Sequence, residues 1–163
     1  MARKTLIAGN WKLNLTVSDG VSLAQAISTF VSQSKNRDQV EVVVCPTFVC
    51  LFPVAQAVGE TIGVGGQHCF WEDKGAFTGE ISASQLKAVG ARYVIIGHSE
   101  RRQFFYETDD SVNRRLKAAL AAGLVPIVCV GETLADRDAG RLQMVLATQV
   151  KGCLLYTSPS PRD

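Results

Sequence analysis

Two short stretches carry the side chains best suited to chemistry: Asn10-Trp-Lys12 and His98-Ser-Glu-Arg-Arg102. Lys12 lies two residues past an apolar run, beside Asn10. An ammonium in that place can clamp a phosphate or carboxylate, and the amide adds a directional polar contact. In isolation a solvated surface lysine is the commoner case. His98 directly follows another apolar run. Alone it would more often be a satisfied structural histidine. Residues 99–103, however, read as a short helix starting right behind it, and the positive end of a helix disfavours the imidazolium. A neutral imidazole N–H polarises a carbonyl without surrendering charge. One lysine for a phosphate and one neutral histidine for a carbonyl point to a small sugar phosphate.

The elements that must carry these residues follow from the hydrophobic pattern. Apolar runs rich in β-branched residues recur at Thr5–Asn10, Val40–Cys45, 61–67, 93–97 and 124–131. They are near-continuous rather than alternating, as in parallel strands buried on both faces. Pro126 removes a backbone donor near the start of its run, where the loss is tolerated best. Val17, Val21, Ala24, Ile27 and Val31 mark one face of an amphipathic helix. Val112, Leu116 and Leu120 mark another, with Thr108 as N-cap, Asp109 and Asp110 at its positive end, and Gly123 past its last turn. Shorter helices are expected at Phe48–Val58 and 83–89, and one more at 142–150. The β-α alternation, repeated five times, is that of an α/β protein with a parallel sheet.

Composition narrows the function classes. The 163 residues are 47% hydrophobic and 20% charged, with a net charge of +2. This is an ordinary globular make-up for one domain, with no basic excess for nucleic acid or an anionic membrane. No apolar run reaches membrane-span length, and the first residues lack the apolar stretch of a secretory signal, so a cytoplasmic protein is expected. The five cysteines, Cys45, Cys50, Cys69, Cys129 and Cys153, form no CxxC pair and read as reduced structural thiols. His68 with Cys69 and Cys50 lacks zinc-type spacing. At the strand ends only Glu132 offers a carboxylate, against a phosphoacceptor receiver. Gly9 stands alone after the first run, against a dinucleotide fold, and Gly63-Val-Gly-Gly66 lacks the lysine and helix of a P-loop.

Four motifs then become specific. Ala8-Gly-Asn-Trp-Lys12, Gly75-Ala-Phe-Thr-Gly-Glu80, Ile95-Ile-Gly-His-Ser-Glu-Arg-Arg102 and Cys129-Val-Gly-Glu-Thr133 resemble the triosephosphate isomerase family, in its order and at its spacing. The resemblance implies a (β/α)8 barrel that interconverts dihydroxyacetone phosphate and glyceraldehyde 3-phosphate, a step of glycolysis and gluconeogenesis, with no cofactor and no metal. It assigns Asn10 and Lys12 to substrate, with Lys12 on the phosphate, and His98 to the carbonyl and enediolate. A neutral histidine tuned by a helix terminus is this family's established device. Glu100 matches a supporting carboxylate near Lys12, and Ser99 and Cys129 match supporting residues of less direct role. The loop 72–80 matches the family's interface loop, with Phe77 and Thr78 entering a second subunit of a homodimer; its composition alone would also fit a plain Gly-rich surface loop.

A barrel of this type typically has about 250 residues and eight βα units. About five of the eight are expected here, in residues 1–152, giving a partial barrel. The stretch 153–163 has no usable periodicity and reads as a non-family tail, disordered or produced by a sequence join. The family's glutamate base follows the sixth strand, and Glu132, Glu80 and Glu107 have no claim to its place. This chain is therefore expected to lack isomerase activity, the alternative being a non-catalytic sugar-phosphate-binding α/β module. Unpaired apolar edges are expected on the first and fifth strands.

Overall fold

The computed structural model describes residues 4–155. Five parallel strands form one sheet in sequence order: β1 Thr5–Asn10, β2 Val40–Cys45, β3 Gly63–Gly66, β4 Tyr93–Ile96 and β5 Val125–Val128. The helices between and after them are α1 Val17–Gln33, α2 Phe48–Val58, α3 Ala83–Ala88, α4 Ser99–Phe104, α5 Asp109–Ala121, α6 Leu134–Asp138 and α7 Leu142–Leu154. The arrangement is an arc of a (β/α)8 barrel. The register sets Asn10 beside Cys45, so the carboxyl ends of β1 and β2 finish level.

The sheet buries its two faces unequally. On the helical side, Val44, Val64, Val94 and Ile96 pack against Leu51, Leu86, Val112 and Leu116 of the helices in one large cluster. On the other side a small cluster of Val43, Cys45, Tyr93 and Ile95 is backed by Ile127 and Cys129. The glycines of β3 make this packing possible. A Cβ at Gly63 would stand 2.8 Å from the Tyr93 ring, and one at Gly66 2.7 Å from a Leu86 methyl. The glycine-rich run serves close packing on both faces.

Local signals explain most helix starts. Thr108 caps α5 and shares a reciprocal capping box with Ser111. Thr16 accepts from the Asp19 N–H at the start of α1. Thr133 and Asp136 form another box that opens α6, a helix not expected from the sequence. Pro126 falls where its missing donor is harmless. The Val125 N–H reaches Arg92 O at 2.8 Å, so the neighbouring position faces the open edge of the sheet.

The last helix departs from expectation. It does not stop near residue 150 but runs through Cys153 to Leu154. Cys153 is buried, and its carbonyl accepts from Asn113 Nδ2 at 2.9 Å. The expected tail boundary at residue 153 therefore falls inside α7, and residues 156–163 of that stretch lie outside the described residues. Among the described residues no helix is long and apolar enough to cross a membrane.

Candidate active site

The carboxyl ends of β1, β3 and β4 surround a cleft of about 590 Å³, lined by Asn10, Lys12, Gln67, His68, His98 and Glu100, with Leu13, Phe104 and Phe105 at its apolar side. Lys12 and His98 thus share one cavity. Glu100 joins them. Lys12 Nζ lies 2.7 Å from Glu100 Oε1. The Lys12 hydrogen bond holds the Glu100 carboxyl below its usual range. A second hollow, at the opposite end of the strands, is lined by Lys4, Arg37, Glu41, Glu60 and Arg92. There Arg92 already faces Glu41 at 3.5 Å.

The position of His98 follows from the residue before it. Gly97 has φ of +70°, in the left-handed region that favours glycine. That turn takes the chain from β4 straight into α4 and makes His98 the N-cap of the helix. The Glu100 amide N–H donates to His98 Nδ1 at 3.2 Å. A ring nitrogen that accepts an N–H carries no proton of its own, so the proton of the neutral ring sits on Nε2 at its far edge. The Glu100 carboxylate also approaches Nδ1, but at 3.5 Å. The shorter, directed amide contact fixes the ring.

Lys12 is positioned at a cost in backbone energy. Its φ is +52°, which a residue with a Cβ adopts only when held. Asn10 does part of the holding, since its Oδ1 accepts the Lys12 N–H at 3.0 Å. Asn10 therefore shapes the lysine as well as lining the cleft. Gln67 belongs to no motif and is marked in the sequence only by its place at a strand end, yet its Nε2 donates to Lys12 O at 2.8 Å.

The remaining expected residues fall around this centre. Ser99 opens α4 and is exposed, and Cys129 is half-buried beside Cys45 and Ile95. Neither lines the cleft. Cys129 is tied to β4 through its N–H to Ile96 O at 2.9 Å, and burial pushes its thiol up. Phe77 and Thr78 lie in an exposed loop away from the cleft, where the Phe77 ring rests on Phe70 at 4.7 Å. All five cysteines are free, and burial pushes the Cys45 thiol up to about 12. Among the described residues no three His, Cys, Asp or Glu side chains gather as a metal site.

Behind the cleft lies a buried polar cluster. Arg115 faces Glu107 at 3.5 Å, and Arg101 bonds the same carboxylate oxygen. His68 sits between this cluster and Glu80, with its Nε2 3.8 Å from the Glu80 carboxylate. Burial, reinforced by the Arg101 charge, pushes His68 down to about 4. Both histidines line the cleft but differ in surroundings: His98 caps a helix, and His68 is largely buried against this polar cluster.

Known proteins resemble this chain along most of its length. The family model described as "Triosephosphate isomerase" matches residues 5–160. The triosephosphate isomerase of Endomicrobium trichonymphae is 50% identical over 153 residues, 93% of this chain and 60% of that protein. The one from Rhodopirellula baltica is 52% identical over 155 residues, 94% of this chain and 60% of that protein. The crystal structure of triosephosphate isomerase from Bartonella henselae superposes with a TM-score of 0.88 at 39% identity, covering 96% of this chain and 64% of that one. The chain spans about 60% of the length of the curated relatives it matches. A match running the length of the described fold, at half identity and through all four motifs, places this chain in the triosephosphate isomerase family.

Proposed function

We propose that this chain supplies the electrophile and the phosphate clamp of a triose-phosphate isomerase, the enzyme that interconverts dihydroxyacetone phosphate and glyceraldehyde 3-phosphate in the cytoplasm. The observation that carries the proposal is the shared cleft: a neutral His98 donor and the Lys12 ammonium open onto one cavity. Lys12 grips the phosphate. The Nε2–H of His98 donates to the carbonyl oxygen and strengthens its hold as negative charge develops there. Asn10 keeps Lys12 in place through its backbone. Glu100 occupies the ammonium until an anion competes for it.

The reaction also needs a base to move a proton between adjacent carbons, within hydrogen-bond reach of that proton. Among the described residues Glu100 is the only carboxylate lining the cleft, and its bond to Lys12 makes it a poor base. That observation favours the second reading for the 163-residue chain taken alone, which is binding without turnover. Isothermal titration with dihydroxyacetone phosphate, beside a turnover assay, tests both. Binding is expected in the unaltered chain and is weakened, to a still measurable level, in Lys12→Met. Turnover is expected to match that of a His98→Gln control. Turnover well above that control would overturn the inert reading, and unchanged binding by Lys12→Met would overturn the clamp.

For a protein of family length we extend the proposal to a twofold homodimer. The support is an apolar rim beside the cleft, with Leu13 at 95% and Tyr106 at 87% exposure, together with the exposed loop that carries Phe77 and Thr78. Apolar surface of this kind calls for a partner. Sedimentation of a family-length protein is expected to give a dimer, weakened by Phe77→Asp.

A further inference from the structure

We propose that Gln67 is a positioning residue for Lys12, holding the lysine in its left-handed backbone so that the ammonium reaches the phosphate. The inference rests on the sugar-phosphate reading of the cleft and deepens it. Both polar backbone groups of Lys12 are held by side chains from strand tips. Its N–H goes to Asn10 Oδ1 at 3.0 Å, and its carbonyl accepts from Gln67 Nε2 at 2.8 Å. A φ of +52° at a residue with a Cβ persists only where surroundings over-determine it, and these two contacts do so from opposite sides.

The second hydrogen of the same nitrogen is also used. Gln67 Nε2 donates to Cys45 O at 3.0 Å, a carbonyl that accepts the Trp11 N–H at 3.1 Å as well. One carboxamide therefore links the tip of β3 to the tip of β2 and to the loop after β1. Both partners are carbonyl oxygens, so the amide can face them only with its nitrogen. Asparagine and glutamine are the neutral side chains with two donors on one nitrogen, and asparagine is a methylene too short. A carboxylate of the same shape would present lone pairs to lone pairs.

A glutamine that merely joined strand ends would lower stability and leave the lysine's contribution to binding alone. A double-mutant cycle separates the two roles. Affinity for glycerol 3-phosphate is measured by calorimetry for the unaltered chain, Gln67→Met, Lys12→Met and the double variant, with Gln67→Glu as a second probe of the same bonds. Circular dichroism checks that each is folded. Gln67→Met and Gln67→Glu are each expected to weaken binding about tenfold, and the Gln67→Met penalty is expected to vanish when Lys12 is already methionine. Lys12 in Gln67→Met is expected to show Cα and Cβ chemical shifts moved away from left-handed values. Additive losses, or full affinity in a folded Gln67 variant, would overturn the positioning role while leaving the clamp intact. Unweakened binding by Lys12→Met, or no binding by the unaltered chain, would instead overturn the sugar-phosphate reading beneath it.

Discussion

The two histidines show how residue-scale chemistry depends on a few neighbours. His98 owes its donor nitrogen to one amide N–H at the start of α4. His68 is kept neutral by burial and by the cations around it, with Arg101 and Arg115 opposing a proton and Glu107 favouring one. The sign of the resulting pH dependence follows. The folded pKa of about 4 lies below the ordinary 6.5, so below pH 6.5 the unfolded chain takes up a proton that the folded chain refuses. Stability is therefore full above pH 6.5 and falls as pH drops towards 4. Between pH 7 and pH 5 this residue alone is expected to remove about 2 kcal/mol. Urea unfolding of the unaltered chain and of His68→Asn at the two pH values checks it: the variant should lose that much of the slope. His98 was legible because its place after a strand and before a short helix is itself the signal. His68 and Gln67 were not, since their roles come from partners far along the chain, Glu107 and Lys12.

Elements carry the next level of information. Strands β1 and β2 and helix α2 were legible to the residue, because long apolar runs and clear punctuation leave little freedom. Helix α6 was missed because its five residues are too short to display a face, although the Thr133–Asp136 capping box was there to be read. Helix α7 continues past Gly152 because that glycine packs against Asp109, where a Cβ would stand 2.8 Å from the aspartate side chain. The glycines of β3 make a sharper test of packing. At Gly63 an added Cβ would meet the Tyr93 ring at 2.8 Å and a Val43 methyl at 2.9 Å. Gly63→Ala is expected to cost about 1–3 kcal/mol in urea unfolding by overpacking both neighbours. Gly131→Ala, with nothing within 4 Å, should change stability little.

At the scale of the molecule, the order of the sheet was legible from the repeated β-α pattern, and the open edges follow from that order. Among the described residues β1 and β5 each pair on one side only. Ile7 is 56% exposed and Val125 50% exposed, so these edges present apolar side chains beside unpaired backbone groups. The 163-residue chain is expected to self-associate at micromolar concentration. Ile7→Lys should lower its light scattering, because a charge on an edge strand opposes pairing. Unchanged scattering in that variant would show that association does not run through β1.

The shared cleft is tested most directly by the carbonyl of its ligand. Difference infrared spectroscopy of dihydroxyacetone phosphate bound to the unaltered chain should show the C=O stretch moved to lower wavenumber, and the band should return towards its free position in His98→Gln. A bound ligand whose carbonyl band does not move in the unaltered chain, or moves equally in His98→Gln, would contradict the pairing of His98 with Lys12 in one site.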